Sequence, residues 1–230
     1  MSILTGHRGA KKEFPENTIL SIENAIQNGC KAIEIDIHQT KDSQLVVIHD
    51  PTIDRTSNGR GRVDSYTYQE LLEFDFGQGQ QIPTLFEVLE LSKKTQMKLL
   101  IELKVHGIEK QIVTLIDEFK LYENTYIISF HHSILFNIKN INEKIQVGSS
   151  CFCNPIDPIG LMNQTHSKLL MISIETIDQE VVNACHENKK LIAVFNANNK
   201  GEIKRMIDLK VDYILTDYPQ KLSSFFRECQ

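Results

Sequence analysis

Hydrophobic positions along this chain change period in a regular way. Ile33, Ile35 and Ile37 alternate with Ala32, Glu34, Asp36 and His38, the period of two that marks a strand. Ile19, Ile22, Ala25 and Ile26 recur instead at helical spacing, with Asn17 or Thr18 as a cap before them and Gly29 just beyond. Further strand patterns cover residues 2–6, 98–104, 126–130, 145–149, 169–174, 191–195 and 213–217. Helical patterns lie near 108–121, 134–141, 178–188 and 202–209; a capping box, Thr84 with Glu87, opens another, and Pro219 opens a last one. The stretch around Pro155 and Pro158 is assigned no helix. Eight strands alternating with helices predict an α/β fold of the (β/α)₈ barrel type, as a single domain over residues 1–230.

One stretch breaks the alternation. After the 32–39 strand, Thr40, Lys41, Asp42 and Ser43 are turn formers, and Leu45, Val46, Val47 and Ile48 follow too closely for a helical crossover, so an antiparallel hairpin is expected. With Asp42 and Ser43 as its central pair, Val47 faces His38 and His49 lies opposite Asp36 on the carboxylate face. Residues 51–83 then form an insertion: a basic, glycine-containing loop from Arg55 to Arg62, followed by a short helix over 68–76. A connection this long in a compact domain is more often functional than accidental, and it reads as a lid or leaving-group wall.

Composition narrows the partners. With 230 residues, 41% hydrophobic and 24% charged, the chain can bury one substantial core, and a formal charge of −5 offers no basic field for nucleic acid. No apolar run approaches the roughly 20 residues of a membrane span. A strand begins almost at once after Met1, leaving no room for a leader, so a soluble, cytoplasmic monomer or homodimer is expected. Five cysteines without a framework spacing imply reduced thiols; Cys151 and Cys153 lack a second pair for zinc and read as packing residues.

The candidate chemistry starts from Glu34 and Asp36, two carboxylates on one strand face with Cα atoms roughly 7 Å apart. Both ionised, they repel by roughly 2 kcal/mol at an effective dielectric of about 20, and a hard cation such as Ca²⁺ or Mg²⁺ relieves that repulsion. His7-Arg8 ends the first strand: a proton-transfer group beside a bidentate anion donor, or a surface histidine beside a structural arginine. Glu102 and Lys104 share a face at the end of a buried strand, where charges are either paired or functional. Glu16 is either an ordinary first-turn acid or leans into the site. In a barrel of this type the C-terminal strand ends form the active face, so His7, Arg8, Glu34, Asp36, Glu102 and Lys104 should converge, joined by His49 from the hairpin. Three carboxylates for a cation, two histidines for proton transfer and two cations for a phosphate suit phosphodiester cleavage.

These residues also carry a resemblance. His7-Arg8-Gly9, Pro15-Glu16-Asn17-Thr18, Glu34-Ile35-Asp36, Thr40-Lys41-Asp42, His49-Asp50, Arg55-Thr56, Glu102-Leu103-Lys104 and Thr216-Asp217-Tyr218-Pro219, in that order, resemble the glycerophosphodiester phosphodiesterase family over nearly the whole chain. The resemblance implies a TIM barrel that hydrolyses glycerophosphodiesters to sn-glycerol 3-phosphate and an alcohol with Ca²⁺ or Mg²⁺. It implies Glu34, Asp36 and Glu102 as metal ligands, His7 and His49 as the acid/base pair, and Arg8 and Lys104 on the phosphate; Glu16, if it leans into the site, is expected to support them. Many members carry tryptophan in the strand-seven motif; here Phe195 stands in Val194-Phe195-Asn196, so Phe195 is expected to shape the substrate wall. The expected route is attack by the glycerol 2-hydroxyl to a cyclic phosphate that water opens, with direct attack by water as the rival. A neighbouring reading is a lysophospholipase D acting on lysolipids, against which the polar composition of residues 60–68 weighs. A catalytically silent phosphate-binding barrel is a different class, and the complete set of charged groups weighs against it.

Overall fold

The computed structural model describes all 230 residues, and its strands close into a barrel. Eight parallel strands form it: β1 (Ile3–His7), β2 (Ala32–Gln39), β4 (Lys98–Leu103), β5 (Thr125–Ser129), β6 (Gln146–Cys151), β7 (Leu169–Ser173), β8 (Leu191–Phe195) and β9 (Tyr213–Thr216). Each pairs with the next around the ring, and β1 pairs with both β2 and β9, leaving no open edge among the eight. A ninth strand, β3 (Leu45–Val47), runs antiparallel to β2 outside the ring.

Alternation along the strands divides the core in two. Ile33, Ile35, Ile37, Leu99 and Ile101 point outward, into the layer covered by the helices. Ala32, Leu100, Tyr126, Ile128, Met171 and Leu215 point inward and fill the barrel, so its interior is packed rather than a channel. The helices are α1 (Ile19–Gln27), α3 (Leu85–Thr95), α4 (Glu109–Phe119), α5 (His132–Ile141), α6 (Pro158–Gln164), α7 (Gln179–Glu187), α8 (Lys200–Asp208) and α9 (Pro219–Glu228), with the one-turn α2 (Tyr68–Leu71) in the insertion. The Thr84/Glu87 capping box forms: Thr84 Oγ1 accepts from the Glu87 N–H at 3.2 Å, and the Glu87 carboxylate accepts from the Thr84 N–H at 2.7 Å. No helix is long and apolar enough to cross a membrane. All five cysteines are free thiols.

Three local expectations change. Helix α6 lies in the proline-containing stretch where the sequence pattern predicts no helix: Asp157 caps it by accepting the Gly160 N–H at 2.8 Å, and Pro158 occupies the first turn, where a missing N–H costs nothing. The helix expected over 68–76 contracts to the four residues of α2, because after Leu71 the chain turns back to bury Phe76 and Ile82 in a small cluster with Val46, Ile48, Ile53, Val63 and Leu71. The hairpin register slips by one residue. Val47 pairs with Ile37 and Val46 with His38, so Ile48, not His49, stands opposite Asp36 and donates its N–H to the Asp36 carbonyl at 2.9 Å.

The turn chemistry explains the slip. Ser43 adopts a left-handed φ of 65°, which makes a three-residue loop of Lys41, Asp42 and Ser43 in place of a two-residue one. Thr40 closes it, donating its N–H to the Gln44 carbonyl at 2.9 Å while its hydroxyl accepts the Gln44 N–H at 2.9 Å. β3 ends at Val47, so His49 leaves the sheet and alternation no longer dictates where its side chain goes.

Candidate active site

Strand register sets the first pairs. On adjacent strands His7 lies level with Glu34, and Asp36 with Glu102, all at the C-terminal ends that face one mouth of the barrel. Glu34 and Asp36 are each 1% exposed and Glu102 6%, and one oxygen from each carboxylate lies within 4.8 Å of the others. Two cations answer this charge. Lys104 Nζ sits 2.9 Å from Asp36 and 2.5 Å from Glu102, and Arg8 Nε lies 3.2 Å from Asp36. The Arg8 backbone N–H donates to Glu34 Oε2 at 3.1 Å, and the Asn17 side chain donates to Asp36 Oδ2 at 2.9 Å.

The carboxylates respond differently. Burial, then the negative charges of Asp36 and Glu102, push Glu34 well above the usual carboxylate range. Burial acts the same way on Asp36, but Lys104 and Arg8 outweigh it and hold that group at about 2. Glu34 Oε1 is buried with no hydrogen-bond partner. A buried, unpartnered carboxylate oxygen among three convergent hard donors fits a divalent cation such as Ca²⁺ or Mg²⁺.

Each histidine is held by its own carboxylate. His7 Nδ1 lies 2.5 Å from Asp217, whose position is in turn set by Asn196 Nδ2 at 2.8 Å and Asn198 Nδ2 at 3.0 Å. With Nδ1–H donating to Asp217, Nε2 faces the site, 3.8 Å from Glu34. His49 Nδ1 lies 2.6 Å from Asp50, and 33% of its side chain is exposed at the rim. The buried His38 donates from Nε2 to the His49 carbonyl at 3.1 Å and steadies the segment beyond the sheet. Burial lowers the pKa of both His7 and His49, and so favours the neutral ring.

This has a measurable sign. For His7 the Asp217 hydrogen bond opposes burial and raises the pKa, so Asp217→Asn removes a raising contribution. The acid limb of kcat/KM is expected to lie below the ordinary histidine value of about 6.5 and to move to still lower pH in Asp217→Asn. A limb moving upward would show that Asp217 does not set the His7 proton.

Opposite the insertion, three rings line the mouth. Phe130 and Phe152 stack at 4.6 Å, and Phe195 at the end of β8 meets them edge-on at 6.0 and 5.6 Å. Phe152 is 67% exposed yet anchored, because Thr176 Oγ1 donates to its carbonyl at 2.9 Å.

His7, Arg8, Glu16, Glu34, Asp36, Glu102 and Lys104 thus meet through direct contacts; His49 joins at the rim and Phe195 on the far wall. Sequence reasoning gave no place in the site to Asp217, Asp50, Arg55, Asn196 or Asn198, and read Asn17 only as a candidate helix cap. Asp217 was within reach of it, since it follows the closing strand at the active end; the asparagines carry no charge pattern that singles them out.

A closed (β/α)₈ barrel with paired histidines, a carboxylate cluster and two cations at its C-terminal mouth defines an enzyme. The chain belongs to the glycerophosphoryl diester phosphodiesterase family, whose model matches residues 7–221. It is 34% identical to the glycerophosphodiester phosphodiesterase of Caldanaerobacter subterraneus subsp. tengcongensis, across 99% of this chain and 98% of that one. It is 33% identical to a glycerophosphodiester phosphodiesterase of Bacillus altitudinis, across 96% of each. Among solved structures it superposes with a TM-score of 0.89 and 26% identity on an Oleispira antarctica phosphodiesterase in complex with the product sn-glycerol-3-phosphate, covering 99% of this chain and 97% of that one.

Proposed function

We propose that the protein hydrolyses glycerophosphodiesters to sn-glycerol 3-phosphate and an alcohol with the help of Ca²⁺ or Mg²⁺. The observation that carries this is the pair of histidines, each tied through Nδ1 to a carboxylate, beside the buried cluster of Glu34, Asp36 and Glu102. Those three carboxylates would hold the cation, which supplies positive charge to the non-bridging phosphate oxygens when bound. Arg8 and Lys104 bind and orient the phosphate. One of His7 and His49 accepts the proton of the attacking oxygen and the other donates a proton to the leaving alcohol. Glu16 holds Arg8 in place through a 2.8 Å contact, and Phe195 forms part of the wall that excludes water from the substrate.

A second reading, hydrolysis of lysolipids, has one observation in its favour: the contiguous apolar surface of Phe130, Phe152 and Phe195 at the mouth. One assay separates the two. With glycerophosphocholine and glycerophosphoethanolamine the protein is expected to release sn-glycerol 3-phosphate; with lysophosphatidylcholine it is expected to release little lysophosphatidic acid. Turnover of the lysolipid alone would make it a lysophospholipase D, and turnover of none would reject both.

A further inference from the structure

Arg55 lies in the insertion, beyond the groups that would touch substrate, yet it joins two separate arms of the site. Its Nε and Nη2 donate to Asp50 at 2.7 and 3.1 Å, and its Nη1 and Nη2 donate to Glu16 at 2.8 Å each. Asp50 is the carboxylate bound to His49 Nδ1, and Glu16 Oε1 also accepts Arg8 Nη1 at 2.8 Å. One guanidinium therefore fastens the partner of a histidine and the partner of the phosphate-facing arginine into a continuous chain, His49–Asp50–Arg55–Glu16–Arg8.

We propose that Arg55 is a positioning residue that sets the orientation of His49 and Arg8 together, a role that rests on the function assigned to those two residues above. Geometry restricts the task to arginine: two carboxylates are each held by a two-point contact, which a planar fork provides and a lysine ammonium does not. Arg55 is also half exposed, so its removal opens no cavity in the core, and its contacts are with the charged arms of the site. Without it, Asp50 and Glu16 lose their shared counter-charge, the His49 ring is freed to rotate and Arg8 is freed to fold wholly onto Asp36. The insertion then acts on catalysis by delivering this one side chain from a fixed backbone, in which the Ser57 hydroxyl donates to the Ile53 carbonyl at 2.8 Å and Ile53 is buried.

The test compares kcat, KM and thermal midpoint for Arg55→Ala and Arg55→Lys on glycerophosphocholine in saturating Ca²⁺ or Mg²⁺. Removing a group that orients active-site residues typically costs about 10–100-fold in activity, and that loss is expected in kcat for Arg55→Ala with little change in thermal midpoint. Millimolar guanidinium should restore part of the Arg55→Ala activity and none in the wild type, Arg55→Lys should recover little, and Arg55→Ala/Asp50→Asn should be no slower than the slower single variant. Wild-type kcat in Arg55→Ala, or a loss that follows the melting temperature and ignores guanidinium, overturns the role. Should Arg55→Ala not fold, Glu16→Ala must show the same kcat loss, and full activity there overturns the proposal equally. A wild-type protein inactive on every glycerophosphodiester would instead overturn the functional reading, a result distinct from an active enzyme indifferent to Arg55.

Discussion

His7→Ala is expected to lower kcat by about 10²–10⁴-fold while KM changes only a few-fold, the loss typical of a missing proton-transfer group. The expectation comes from how completely this ring is specified. Its Nδ1 is occupied by Asp217, its side chain is 11% exposed, and its Nε2 is left facing Glu34 of the carboxylate cluster across 3.8 Å. Burial keeps the ring neutral, which is the form able to accept a proton. Asp217→Asn should reproduce much of the loss, because an amide can donate to Nδ1 and stabilise the opposite tautomer. Circular dichroism and steady-state kinetics on both variants decide the point, and His7→Ala with near wild-type kcat would remove His7 from the mechanism.

Chelation with EDTA is expected to abolish turnover, and Glu34→Gln or Glu102→Gln to do the same even in excess cation. The physical basis is the unpartnered Glu34 Oε1 and the convergence of three buried carboxylates within 4.8 Å. A cation that binds only the folded state stabilises it by about 2.7 kcal/mol at a hundred times its dissociation constant, so the wild-type thermal midpoint should rise on adding Ca²⁺ or Mg²⁺. That rise should be missing in Glu34→Gln. The cation-free protein gives the opposite comparison. The Glu34 pKa is raised on folding, so the folded state binds more protons than the unfolded one and stability falls as pH rises above the unfolded carboxylate value of about 4.3. An amide carries no such penalty, and cation-free Glu34→Gln is expected to be at least as stable as the wild type near neutral pH. A wild-type midpoint indifferent to both cations would contradict the metal assignment.

The segment 32–50 shows where sequence reasoning held and where it stopped. Placing Glu34 and Asp36 on one face needed only the period of two, and both side chains are buried together at the barrel mouth. Placing His49 needed the loop length, which turned on one backbone angle at Ser43; a left-handed serine is a conformation that the residue type does not announce. His49 nevertheless sits at the rim beside Asp50, because it lies past the end of β3 and is free of the pairing that the slip altered. Helix α6 was illegible for a related reason: Pro158 reads as a breaker until Asp157 is recognised as the cap in front of it.

Periodicity and motif order by themselves determined the closed barrel and placed Glu34, Asp36, Glu102, Arg8, Lys104 and His7 at strand ends facing one mouth of it. Those features follow from side-chain alternation and strand count, which are local and additive along the chain. Only the tertiary structure decided the hairpin register, the tie between Asp217 and His7, and the bridge from Arg55 to both Glu16 and Asp50. Each of these depends on contacts between residues far apart in sequence or on a single turn angle, and neither is encoded in a local pattern: His7 and Asp217 are 210 positions apart, and Glu16 and Arg55 are 39.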